Sequence, residues 1–249
     1  MRFGVLAFAV VALCGAGVAQ AGEKKGEPLV KTGEAYVVVE IQTLDDSLLK
    51  GTKMPGNLTL ARYDPVKSDI RGGQLSTDTA VAPKEAVRVT ISEKPLAKTK
   101  TGRLYLVRLQ PDTWVIEGSS GTAFSLGSMS FRIAAGEVLD LGVMKPAVDW
   151  LEGEGPKSMM GGIMGAALFG SMRPKELRAV RIDWHQRTAA DMPLPPELSS
   201  APVRQVSYSP DAKFGNYLGG LVNRFGGRAS RPATAPQPPA PAADTAQAN

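Results

Sequence analysis

The sequence predicts a mainly β protein, an antiparallel sandwich of short strands, on three observations. Eight segments of six to nine residues are rich in Val, Ile, Leu, Thr and aromatic side chains. Turn chemistry (Pro55-Gly56, Arg71-Gly72-Gly73, Pro111-Asp112, Ala135-Gly136) separates most of them. No helical spacer lies between the first seven.

In chain order, the first segment to place is 1–21, MRFGVLAFAVVALCGAGVAQA. Arg2 precedes an apolar run, and Ala19-Gln20-Ala21 is a small-x-small cleavage pattern, the layout of a secretory signal peptide. The run is shorter than the roughly 20 residues a membrane span needs. Residues 22–34 are a polar leader. Strands are expected at 35–42, 57–64, 86–92, 103–110, 113–118, 128–134 and 137–144, with a hairpin turning at Gln110-Pro111-Asp112. An eighth at 177–185 alternates with period two. Val180, Ile182 and Trp184 point one way, and Arg181, Asp183 and His185 the other, as in a strand lying on a core. The sandwich domain is placed at 35–190, interrupted by an apolar Gly/Met-rich insertion at 152–173.

Leu109, Pro111, Trp114, Ile116, Phe131, Ile133, Gly136, Glu137 and Val138 carry a strand–turn grammar. It resembles that of transthyretin-like and PEGA-like domains of bacterial envelope proteins, over about forty residues (104–143). Asp112 stands at the usual turn glycine and Trp114 at the usual tyrosine. The resemblance implies an immunoglobulin- or transthyretin-like sandwich serving as an adaptor, stalk or surface module. It carries over no catalytic residue.

The insertion contains fifteen uncharged residues, 158–172, with Met159, Met160, Ile163, Met164, Leu168 and Phe169 as candidate partner or membrane contacts. As a helix it would reach about 22 Å, short of a bilayer core, and its glycines weaken that helix. Methionines adapt to varied surfaces. Residues 191–208 are a proline-rich connector expected to lie extended over the surface. At 209–226 the sequence predicts an amphipathic helix. Ser209-Pro210-Asp211 offers a cap, and Phe214, Tyr217, Leu218, Leu221, Val222 and Phe225 form the stripe. Residues 227–249 are Pro/Ala-rich and read as a disordered tail.

Lys and Arg number 29 against 24 Asp and Glu, a net charge of +5 that is scattered along the chain. Nucleic-acid binding would want a basic stripe with aromatic platforms, and none is evident. The single cysteine, Cys14, lies in the signal segment. The mature chain therefore lacks disulfides, thiol catalysis and cysteine-ligated metals. No phosphate-cradling or dinucleotide motif occurs, so no cofactor is expected. One histidine, His185, makes a histidine-rich metal site impossible.

His185 with Asp183 and Ser130 is the one conceivable hydrolytic set. Residues two apart on a strand point in parallel, an awkward way for a carboxylate to orient an imidazole. No Gly-x-Ser-x-Gly elbow is present, and Gly118-Ser119-Ser120-Gly121 is turn composition. Acidic pairs, Glu137 with Asp140 among them, read as solvated loops. The expectation is an exported, non-enzymatic envelope protein that binds a protein, a membrane surface or a wall polymer. The alternatives are a periplasmic hydrolase using His185 and a small-molecule carrier.

Overall fold

The computed structural model describes residues 29–45, 50–72, 87–151, 155, 179–199, 201–215, 217 and 220–228. The signal segment, the six insertion residues Met159 to Phe169, Leu218 and the tail beyond Arg228 lie outside the described residues.

The chain is mainly β. In order, its strands are β1 (Ala35–Gln42), β2 (Leu44–Asp45), β3 (Lys53–Met54), β4 (Leu58–Asp64), β5 (Asp69–Ile70), β6 (Arg88–Ile91), β7 (Ala97–Lys98) and β8 (Gly102–Leu109). There follow β9 (Asp112–Ser119), β10 (Thr122–Ala123), β11 (Ser128–Ile133), β12 (Val138–Asp149) and β13 (Ala179–His185). A short helix α1 (Pro196–Ser199) precedes β14 (Val203–Gln205), β15 (Ser209–Ala212) and β16 (Leu221–Val222). The described strands form a six-stranded sheet (β13-β12-β1-β8-β7, with β14 also on β12), an eight-stranded sheet (β15-β11-β9-β10-β16, with β4 also on β9 and β5 and β6 on β4) and a β2-β3 ribbon.

The sheets are mixed, where the sequence predicts antiparallel ones. β1 runs parallel to β12, β14 parallel to β12, and β16 parallel to β10. The expected hairpin at 110–112 is also not one. β8 pairs with β1 and β7, whereas β9 pairs with β4, β10 and β11, so the chain changes sheets at Pro111. Leu109 is already opposite Ala35, and Asp112 is already opposite Ile133. The indole Nε1 of Trp114 donates to Gln110 O at 2.9 Å and holds this corner. The Ala135-Gly136 turn is a second corner, carrying β11 into β12 of the other sheet. Proline and glycine here mark a change of sheet, which local composition cannot distinguish from a hairpin.

One apolar cluster draws on both sheets: Val37 and Val39 from β1, Leu139 and Leu141 from β12, Leu60 from β4, and Trp114 and Ile116 from β9. Burying each such side chain is worth about 1.5–3 kcal/mol. β1 is buried on both faces, and every residue from Ala35 to Ile41 is enclosed. Its other face, with Tyr36 and Val38, packs against Leu198 of α1 and against Met192, Leu194 and Val203. The proline-rich connector is therefore a strap seated on the six-stranded sheet.

The described residues of 209–226 are not helical. β15 pairs antiparallel with β11, β16 pairs with β10, and the described residues between them belong to no helix or strand. The apolar stripe is split. Phe214 packs with Tyr63, Ile70 and Val115, on the face of β9 opposite Trp114, while Phe225 packs in the main cluster. A helix presents one stripe to one surface and cannot fill both. Unpaired sheet edges also offer backbone partners that a glycine-weakened helix does not match. Gly220, at φ +92°, approaches Gly121 O so closely that an added Cβ would lie 2.7 Å from it.

This arm joins the sheets. The Phe225 amide donates to Gly127 O at 2.8 Å beside the eight-stranded sheet, and its carbonyl accepts from Ile182 N of β13 at 2.7 Å. Asn223 repeats the pattern: its amide donates to Ala123 O, and its Nδ2 donates to Asp149 Oδ2 at 2.9 Å. The rings of Phe124 and Phe225 meet edge to face at 5.7 Å. Val180 N, finally, donates to Thr122 Oγ1 at 2.9 Å across the two sheets.

Candidate functional site

His185, Asp183 and Ser130 have separate partners. Asp183 accepts from Arg181 on the exposed face. Ser130 is buried on β11, and its Oγ donates to Ser209 O at 3.4 Å. The exposed ring of His185 meets Asp191 instead, Nε2 to Oδ1 at 3.0 Å. The other Asp191 oxygen accepts from the amide and the hydroxyl of Thr188, each at 2.8 Å. The His185 hydrogen bond, then the Thr188 amide, lower the Asp191 carboxyl from its ordinary 3.8 to about 2. The pair ties the turn that leads β13 into the strap.

Beneath the strap lies a buried ion cluster. Asp140 is 1% exposed and Glu40 4% exposed, which corrects the expectation of a solvated Glu137/Asp140 pair. The guanidinium of Arg187 reaches both, with Nε to Asp140 Oδ2 at 2.7 Å and Nη1 to Glu40 Oε2 at 3.1 Å. It also donates to Met192 O at 2.9 Å, and Met192 N donates back to Glu40. Buried charges persist only when paired and hydrogen-bonded like this. The Asp140 Oδ1 atom further accepts from Gly142 N at 2.9 Å.

Gly142, at φ +82°, is the bulge where β12 changes its outer partner from β14 to β13. A Cβ there would strike His185 O and Trp184 Nε1. The carbonyl of Leu141 at this bulge accepts from Trp184 Nε1 at 2.7 Å and from Tyr208 OH at 3.0 Å. Tyr208 stands edge to face with Trp184 and with Phe131. The residue is half-buried with its hydroxyl enclosed, and burial, then the Asp140 charge, push that hydroxyl well above its ordinary pKa.

One surface that could meet a ligand is an open groove of about 270 Å³ at the β9–β10 end of the eight-stranded sheet. β9 and β10 are joined by Ser120-Gly121, both at positive φ, which is a two-residue hairpin with a primed turn. Gly118 admits Thr122 O where a Cβ would overlap it. Glu117, nearly buried, accepts the Nε of Arg88 on both oxygens at 2.9 Å. Asn57 Oδ1 accepts from Ser120 N at 2.7 Å, and Ser119 Oγ donates to Asn57 O at 2.7 Å. Tyr217, from the arm, lines the same groove. Sequence reading picked out Tyr217 as a helix-stripe residue and Ser119-Ser120 as a turn. The convergence of Asn57, Arg88 and Glu117 depends on strand pairing and left no local signal.

Further clefts lie outside the core. One of about 430 Å³ sits between the leader (Leu29, Val30, Thr32), the Gly136 corner and the strap (Glu197, Pro202). Another, of about 400 Å³, sits between the two corners and is lined by Arg71, Thr113 and Arg132. Among the described residues no group of three or more His, Cys, Asp or Glu is arranged to hold a metal, and no helix is long and apolar enough to cross a membrane. No protein-family model, curated protein or solved structure matches this chain.

Proposed function

We propose that this chain is an exported, non-enzymatic envelope protein whose β-sandwich module binds an extended, hydroxyl-rich wall polymer along the Asn57–Glu117–Tyr217 groove. Export rests on the 1–21 signal layout. The sandwich reading rests on the apolar cluster shared by both sheets, and it agrees with the transthyretin-like and PEGA-like grammar of 104–143. The observation that carries the binding reading is the groove's chemistry. A pre-paired Arg88–Glu117 ion pair, the Asn57 amide and the Ser120 hydroxyl lie beside one aromatic ring in an open groove. Sugar rings present adjacent hydroxyls that such groups accept from and donate to, and a carbon face that a tyrosine covers. The groups are held by the fold before a ligand arrives, which lowers the ordering cost of binding.

Sedimentation of the mature protein with insoluble wall glycan tests this. The protein is expected in the pellet, and Tyr217→Ala is expected to weaken retention several-fold while leaving the circular dichroism spectrum intact. Protein that stays in the supernatant, or a Tyr217→Ala variant that is retained as well as the parent, contradicts the reading.

A further inference from the structure

We infer that the cleft between the two sheet-changing corners is an oxyanion site, taking one carboxylate or phosphate group between Arg71 and Arg132. It is separate from the groove above and does not depend on it. Three guanidinium groups gather here, Arg62, Arg71 and Arg132, against the carboxylates of Asp64 and Asp112; Glu137, near Arg132, is already paired with Arg204 and the Ala134 amide. The carboxylates are already engaged. Asp112 Oδ2 takes Arg62 Nε at 2.7 Å, and Asp112 Oδ1 takes Thr113 N at 2.8 Å. Asp64 Oδ1 caps the following turn through the amides of Val66 and Lys67.

Arg71 is left under-served. Its Nη1 is 3.5 Å from Asp64 Oδ2, and its Nε is 3.5 Å from the Asp112 oxygen that Arg62 already holds. That Nε is buried without a hydrogen bond, the one such side-chain atom among the described residues. An enclosed charged donor whose nearest acceptor is a shared carboxylate oxygen at 3.5 Å is poorly compensated, whereas the other buried polar side-chain atoms among the described residues are hydrogen-bonded. Arg132 lies opposite Thr113 in the β11–β9 ladder, is exposed, and has no carboxylate within 4.0 Å among the described residues. The Thr113 hydroxyl, on the same cleft wall, bonds no described protein group. The cleft thus offers a net positive charge, two guanidinium groups and a hydroxyl donor, in a volume of about 400 Å³ that holds one small anion with room to spare. Guanidinium groups suit carboxylate and phosphate oxygens because they donate two parallel hydrogen bonds.

The test is a nitrogen-15 NMR titration of the full mature chain at constant ionic strength, once with inorganic phosphate and once with acetate, following the arginine Nε–Hε signals. The Arg71 and Arg132 signals and the Thr113 amide are expected to shift together and saturate. Arg108, paired with Glu34 at an exposed site, is expected to stay still. The tighter of the two anions identifies the group that the site takes. Arg132→Gln is expected to weaken binding by about tenfold, the loss of one charge-assisted contact, with the rest of the spectrum unchanged. Arg71→Lys keeps the charge but loses the fork, and is expected to weaken it as well. Unsaturated drift shared by all arginines with both anions, or an Arg132→Gln variant that binds as tightly as the parent, overturns the site.

Discussion

The strand body, within residues 35–149, is largely buried and the C-terminal arm, within 187–228, buries only a few side chains, and the two are held in place by different means. In the body, β1, β8 and β12 share continuous ladders, and β9 is flanked by β4 and β11 in the same way. Each residue there is one of many equivalent bonds. The arm has only short pairings (β14, β15 and β16), and it is held by single anchors: Arg187 on two carboxylates, Leu198 at 0% exposure, Tyr208 on the Leu141 carbonyl, and Phe225 between the sheets. A regular ladder spreads its stability over the strand, whereas an anchored arm concentrates it in a few side chains.

Equal cost for unequal regularity is the first way to break this comparison. Trp114→Ala in the body is expected to cost about 3–5 kcal/mol in denaturant unfolding, and Phe225→Ala in the arm about the same, since both are buried aromatic rings. An arm that were merely appended would lose Phe225 for less than about 1 kcal/mol, as surface changes do. Arg187→Ala leaves Glu40 and Asp140 buried without a counter-charge and is expected to cost about 3–5 kcal/mol. Replacing all three by apolar residues of similar volume should recover much of that loss. Next comes Tyr208→Phe, which removes one of two donors to the Leu141 carbonyl and should cost about 1 kcal/mol.

The smallest effect concerns the His185–Asp191 turn. The Asp191 carboxyl is depressed in the folded state, so its contribution is full above the ordinary 3.8 and is lost as pH falls toward about 2. His185→Ala should raise the Asp191 pKa and shrink this acid-side loss, which carbon-13 NMR of the carboxyl would follow.

The body was legible because its chemistry is periodic. The 35–42 segment is β1 to the residue, and the alternation at 177–185 places Val180 and Ile182 inward and Asp183 and His185 outward, with Trp184 half-buried. Sheet membership was not legible. Pro111 and Gly136 look like hairpin punctuation, and only long-range pairing makes them corners. In the arm, the stripe from Phe214 to Phe225 matches a helical period by coincidence, and five glycines within and just after it favour irregular backbone.

The ion cluster did leave a trace. Glu40 and Asp140 each interrupt an otherwise apolar strand run, VVVEI and VLDLG, and a charge in that position needs a buried partner. Nothing local announced that Arg187, far along the chain, supplies it. The groove was equally hidden, since Asn57, Arg88, Glu117 and Tyr217 come from four separate stretches.

Hydrogen exchange at the Ile182, Asn223 and Phe225 amides probes the joining of the sheets by the arm most directly. If the arm is integral, these amides exchange as slowly as Val37 and Val39 at the centre of β1, through global unfolding alone. Exchange of all three within the time of a fraying terminus, while β1 remains protected, would contradict that account.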